Sequence, residues 1–205
     1  MVPIGIPALQ PDQELTRSIT ERYAGRKLLF ALGCLVPYKG FEHLVEAAAL
    51  LPDEYVVVIG GTGPLRSNLE HAIAERGLGG KVILAGYLSD QEVGAYFGAC
   101  TMFCFPSVQK TEAFGIVQLE AMSVGKPIVA TDIPGSGVSW VNAHGVSGLN
   151  VPVGDAQALA DAIQQISSTP EALSRFAQGA QQRYQDTFTH DKMVESTIRI
   201  YSSIL

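Results

Sequence analysis

Cysteine is scarce. Only Cys34, Cys100 and Cys104 occur among 205 residues, too few and too irregularly spaced for a disulfide framework, and no Cys/His spacing matches a zinc site. A reducing, cytoplasmic setting fits that usage. Basic charge is also in short supply: 14 Lys+Arg against 20 Asp+Glu give a formal net charge of −6 and a pI ≈ 5.2. With no basic stripe suited to a phosphate backbone, the chain is not expected to read nucleic acid. Long apolar runs are missing as well. The longest, Leu28 to Pro37, is interrupted by Gly33 and falls far short of the roughly 20 residues a membrane helix needs. The opening Met-Val-Pro-Ile-Gly-Ile-Pro has neither a cationic stretch nor a cleavable apolar segment, so no signal peptide is expected. It reads like the middle of a longer protein, an extended segment crossing between domains. What remains, 47% hydrophobic and only 17% charged residues, excludes disorder and provides for one sizeable core.

After a helical segment expected from Asp12 to Tyr23, short apolar runs alternate with segments of helical period. The runs Leu28 to Gly33, Tyr55 to Gly60, Val82 to Ala85, Met102 to Phe105, Ile128 to Thr131 and Leu149 to Val151 read as strands. Their near-continuous apolar character suits a parallel sheet covered on both faces. Crossover helices are expected over Phe41 to Leu51, Pro64 to Arg76, Asp90 to Ala99 and Phe114 to Val124, with Pro64 in a first turn and Ser89 and Glu92 as a capping box. Three further helices, Asp155 to Ile166, Pro170 to Tyr184 and His190 to Leu205, close the chain. The fold class is therefore α/β, a Rossmann-like doubly wound parallel sheet of about six strands with C-terminal helices.

In such a sheet the ligand lies at the carboxyl ends of the strands, near the point where strand order reverses. The first such loop, Gly33 to Gly40, places Lys39 at a helix entrance, which is an anion site or a solvated surface lysine. The second, Gly60-Gly61-Thr62-Gly63-Pro64, permits close backbone approach, either to a ligand or for helix packing. A dinucleotide fingerprint would want glycine where Arg66 stands, and no acidic ribose partner ends the next strand, which argues against a nicotinamide enzyme. The richest stretch is Pro106 to Met122, with Glu112 just before the expected helix and Glu120 inside it. At about 1.5 Å per helical residue their backbones lie up to roughly 12 Å apart. Between them the amides of Phe114, Gly115, Ile116 and Val117 suit phosphate or hydroxyl oxygens. Glu120 is either an exposed helix residue or, given its apolar neighbours Leu119, Ala121 and Met122, a carboxylate of the kind that usually has a partner. His43, His71, His144 and His190 form no cluster with Ser or Asp that suggests a hydrolase triad.

Lys39-Gly40, Gly61-Thr62-Gly63-Pro64, Pro106-Ser107, the run from Glu112 to Met122, and Gly125-Lys126-Pro127-Ile128-Val129-Ala130 strongly resemble the group 1 retaining glycosyltransferases, of the family 4 kind. The likeness extends over nearly the whole chain, from Val2-Pro3-Ile4-Gly5-Ile6 to Gly154-Asp155. It implies one half of a GT-B fold, the C-terminal donor-binding half. Residues 1–27 would be an interdomain segment and short helix, residues 28–186 the nucleotide-sugar-binding domain, and residues 187–205 a helix packing on an N-terminal domain through Met193, Ile198 and Tyr201.

By the same resemblance Lys39 would contact the donor diphosphate and Glu112 the hydroxyls of the transferred sugar, and these two are the candidate catalytic residues. Glu120 would bind the ribose. Gly33, Cys34, Gly61, Gly63, Tyr87, Leu88, Phe114, Gly115, Ile116 and Val117 complete the implied donor site, with the base near Tyr87-Leu88. No metal or cofactor is implied; the substrate would be a nucleoside-diphosphate sugar. A longer loop before Glu112, as in bacterial mannosyl- and rhamnosyltransferases, favours a GDP-sugar. The implied acceptor is a glycan or lipid-linked saccharide, bound by the other half at the inner face of the membrane, in polysaccharide or lipopolysaccharide synthesis. Cys34 departs from the pattern: the family usually has arginine there, whose paired donors a thiol cannot replace, and Lys110 in the longer loop is an alternative source of charge. A binding-only nucleotide-sugar module and a nucleotide-sugar epimerase are the alternative functions.

Overall fold

The computed structural model describes residues 2–204. Within them, β1 (Lys27–Leu32), β2 (Tyr55–Gly60), β3 (Val82–Gly86), β4 (Met102–Phe105), β5 (Ile128–Thr131) and β6 (Gly148–Val151) form one sheet in the order β3-β2-β1-β4-β5-β6. Every pairing is parallel, which is the doubly wound order, and strand order reverses between β1 and β4.

The strands are apolar on both faces because both faces are covered. Along β1 and β2 the side chains alternate between two cores. Leu29, Ala31, Val57 and Ile59 pack with α2 (Phe41–Leu50), α3 (Arg66–Glu75) and α7 (Ala156–Ile166). Leu28, Phe30, Val56 and Val58 face α1 (Gln13–Arg22), α4 (Asp90–Ala99), α5 (Val117–Ser123) and α6 (Val138–Val141). The second core is built on aromatic rings: Phe30 stacks on Tyr96 at 5.2 Å and meets Phe97 edge-on at 5.1 Å. Each fully buried large side chain contributes about 1.5–3 kcal/mol. The chain ends in α8 (Pro170–Arg183), a π turn over Tyr184–Phe188, and α9 (His190–Ile204).

Local chemistry sets the helix starts. Asp12, Asp155 and Thr169 accept from the amides of Leu15, Ala158 and Ala172, and Ser89 and Glu92 form the anticipated capping box. Two expected starts are corrected. Pro64 is not in the first turn of α3, which begins at Arg66, because the Leu65 amide is drawn off to the Leu35 carbonyl at 3.0 Å. The helix expected from Phe114 begins at Val117, because Gly115 sits at φ +72, outside helical space. The short α6 was not foreseen, and Leu205, the expected end of the last helix, lies outside the described residues.

The opening segment is extended, but its one bridge pairs Ile6 with Thr189. The Ile6 amide donates to the Phe188 carbonyl and the Tyr184 hydroxyl to that of Ile6. Helix α1 packs on α4 through buried Ile19. On α9, Met193 is half-buried against Gly5, whereas Ile198 and Tyr201 are exposed.

The glycine-rich loop after β2 lies against the loop after β1. A Cβ at Gly61, whose φ is +130, would stand 1.9 Å from the Gly33 carbonyl oxygen. Both backbone strain and collision follow, so Gly61→Ala should cost about 2–4 kcal/mol. In a domain of this size that lowers the melting temperature by about 5–15 °C. Gly79→Ala, at a site with nothing within 4 Å, should melt with the parent. Equal melting of the two variants would contradict this packing.

Candidate functional site

The loops after β1 and β4 meet at the carboxyl edge of the sheet. The first makes a single 3-10 turn, Pro37–Lys39, and ends at Gly40 with φ 64. That left-handed bend leaves no room for a side chain, since a Cβ there would lie 2.2 Å from the Pro106 carbonyl oxygen. The Val108 amide donates to the Tyr38 carbonyl at 2.8 Å, stitching the loops together.

This contact brings Lys39 Nζ onto Glu112 Oε2 as an ion pair, with the two side chains only 14% and 13% exposed. The ammonium also stands 5.4 Å from the centre of the Phe105 ring and 5.5 Å from that of Tyr38, positions that favour a cation. Glu112 is held from three sides. The buried Ser107 hydroxyl donates to its Oε2 at 3.3 Å, and the Ser107 carbonyl in turn accepts from Thr131. From the loop after β5, the Ser136 hydroxyl donates to the Glu112 carbonyl and the Gly137 amide to that of Ala113 at 2.8 Å.

Around the pair opens a cavity of ≈ 410 Å³. Gly33 and Cys34 from the loop after β1 line it, together with Gly115, Ile116, Val117 and Glu120 from the start of α5. Helix α5 has no side-chain cap, and among the described residues nothing accepts from the Gly115 and Ile116 amides. The Glu120 carboxylate, on the first turn of α5, likewise has no partner there. Burial pushes its pKa above the ordinary carboxylate value, and the charge of Asp90 adds to the rise. A wider hollow of ≈ 650 Å³ runs beside Pro11, Thr16 and Gly98, but none of its lining residues follows a strand. One cation, two carboxylates and free amides at a switch point can bind a ligand carrying both phosphate and hydroxyl groups.

Residues 12–183 match the family described as Glycosyl transferases group 1. The chain belongs to that family. It is 32% identical over 209 residues to an O-antigen chain mannosyltransferase C from Escherichia coli, covering 100% of this chain and 54% of the relative. A D-rhamnosyltransferase, WbpZ, from Pseudomonas aeruginosa is 35% identical over 169 residues, 82% of this chain and 43% of that protein. This group 1 chain thus spans about half the length of the curated relatives it matches. Among solved structures, Anabaena HepE in complex with UDP superposes with a TM-score of 0.87 at 24% identity, over 97% of this chain and 56% of that one. That likeness confirms the Rossmann-like half of a GT-B glycosyltransferase as the fold.

Of the residues expected at the donor site of a group 1 glycosyltransferase, Gly33, Cys34, Lys39, Glu112, Gly115, Ile116, Val117 and Glu120 line one cavity. Gly61 and Gly63 do not; they lie against the backbone of Gly33 and Leu35 and support the first loop. Tyr87 is exposed, and Leu88 lies against Gly60; both are outside the cavity lining. The Phe114 ring packs with Trp140 and Phe188, each at 6.2 Å. Tyr38, Ser107, Thr131 and Ser136 were not anticipated. The Pro37-Tyr38-Lys39 and Pro106-Ser107 sequences held a signal for the first two, whereas nothing local marks the others.

The raised pKa of Glu120 has a consequence for stability. A carboxyl that holds its proton more tightly when folded lends stability at acid pH and loses it as pH rises through the folded pKa. Its ionised form is therefore unfavourable at pH 7, so Glu120→Gln should raise the melting temperature there, with the gap closing towards pH 4. A variant melting below the parent at pH 7 would contradict that environment.

Proposed function

We propose that this chain is the donor-binding half of a retaining glycosyltransferase, moving a hexosyl group from a nucleoside-diphosphate sugar to a glycan or lipid-linked acceptor. The observation that carries the proposal is the Lys39–Glu112 pair at the switch point, with unpartnered Glu120 in the same cavity. Lys39 and the amides at the start of α5 take the diphosphate and stabilise the charge that develops on its β-phosphate during transfer. Glu112 accepts from hydroxyls of the transferred sugar, and Glu120 from those of the ribose. Retention of configuration rests on the family resemblance. The acceptor and any group that activates it belong to the facing half of the enzyme.

The relatives' names, an O-antigen mannosyltransferase and a rhamnosyltransferase, support a place in bacterial surface polysaccharide or lipopolysaccharide synthesis. On that likeness we infer a GDP-sugar as donor, although the solved neighbour holds UDP. The work would take place in the cytoplasm, at the inner face of the membrane. No helix among the described residues is long and apolar enough to cross a membrane.

Calorimetric titration of the chain with UDP, GDP, ADP and their sugars tests the proposal. One nucleotide should saturate a single site, with GDP ahead of UDP. Loss of a hydrogen bond to a charged group costs about 1.5–3 kcal/mol, so Glu120→Ala should weaken the diphosphate and its sugar alike by about tenfold or more. Absence of binding by every nucleotide, or an unchanged affinity in Glu120→Ala, would overturn the assignment.

A further inference from the structure

Without a ligand, the ammonium proposed to hold the diphosphate is already occupied. Lys39 is paired to Glu112, both side chains are largely buried, and Ser107 and Ser136 fix the glutamate in that position. Among the described residues lining the cavity, Lys39 is the one cation, set against Glu112 and Glu120. Cys34 supplies no charge beside it. A diphosphate must therefore draw Lys39 away from Glu112, and it leaves behind a largely buried carboxylate with only the Ser107 hydroxyl for company. An uncompensated charge in such a place is unfavourable, and its proximity to phosphate adds repulsion. A free nucleoside diphosphate brings nothing to offset this. A sugar on the terminal phosphate does, because its hydroxyls can donate to the vacated Glu112 oxygens.

We propose, on the basis of the donor-site reading above, that the Lys39–Glu112 pair is a latch that selects the intact sugar nucleotide over the free nucleoside diphosphate. With donor bound, the ammonium passes to phosphate and the carboxylate to sugar hydroxyls, so both charges stay paired. With the bare diphosphate only one is paired, and Glu112 competes to recapture Lys39. The same competition hastens departure of the spent nucleotide. Glu112 is in this account a specificity-determining residue as well as a sugar contact.

The test is a calorimetric comparison of UDP and GDP with UDP-glucose and GDP-mannose on the parent, Glu112→Gln, Lys39→Met and the double variant. Glu112→Gln removes the competing charge at nearly constant shape. It should bind the free diphosphate about tenfold more tightly than the parent while gaining nothing for the sugar nucleotide. In the Lys39→Met background the same substitution should give a clearly smaller gain, from relief of repulsion alone, since there is no ammonium to release. If Glu112→Gln melts well below the parent, Glu112→Ala provides the same comparison. An unchanged or weaker affinity for the free diphosphate in a folded variant would overturn the latch. Equal tightening with and without Lys39 would also overturn it, because simple repulsion would then be the cause. A parent chain that binds none of the four ligands overturns the donor-site reading and the latch with it, whereas a parent that binds and a variant that gains nothing overturns the latch alone.

Discussion

Two loops must touch for this site to exist, and the backbone at Gly40 sets how closely. Its left-handed bend lets the loop after β1 come against the Pro106 carbonyl, at a spacing no side chain would tolerate. The sheet order makes the approach available, since β1 and β4 are neighbours although three crossovers separate them in sequence. Once the loops are joined through Tyr38 and Val108, Lys39 and Glu112, 73 residues apart in the chain, become an ion pair.

The apolar interior extends to the rim of the site. Phe97, Phe103 and Phe105 form a ladder of rings through the second core, and Phe105 at its end lies beside the Lys39 ammonium and beneath Gly115. A buried apolar support strengthens charge interactions beside it. Burial likewise makes an unpartnered charge unfavourable, and together with the charge of Asp90 it raises the pKa of Glu120. The site therefore holds two carboxylates in opposite conditions: Glu112 is bonded by Ser107 and Lys39, and Glu120 is without a partner. That asymmetry is what a folded chain has to maintain if one group is to be exchanged between partners and the other filled by a ligand.

Strands were legible in the sequence because a sheet buried on both faces requires uninterrupted apolar runs, and β4 and β5 fall where those runs do. Capping at Ser89 was legible for a similarly local reason. The start of α5 was not: the run from Phe114 has helical spacing, but the Phe114 ring is claimed by Trp140 and Phe188 and Gly115 turns left-handed. Glycines 61 and 63 were ambiguous in sequence, because close approach to a ligand and close approach to another loop make the same demand on a backbone. The polar network around Glu112 was hidden because Thr131 and Ser136 belong to the strand and loop beyond α5, and only the parallel pairing of β4 with β5 brings them near.

The central claim is that the donor lies between the loop after β1 and the start of α5. The most direct test is a residue-resolved NMR titration of the chain with a sugar nucleotide, following backbone amides. The account predicts the largest shifts at Gly33, Cys34, Gly115 and Ile116, with smaller ones at Gly61 and Gly63 behind the first loop. Largest shifts in the hollow lined by Arg26 and Lys81, which precede β1 and β3 at the opposite end of the sheet, or along the hollow between α1 and α4, would contradict it.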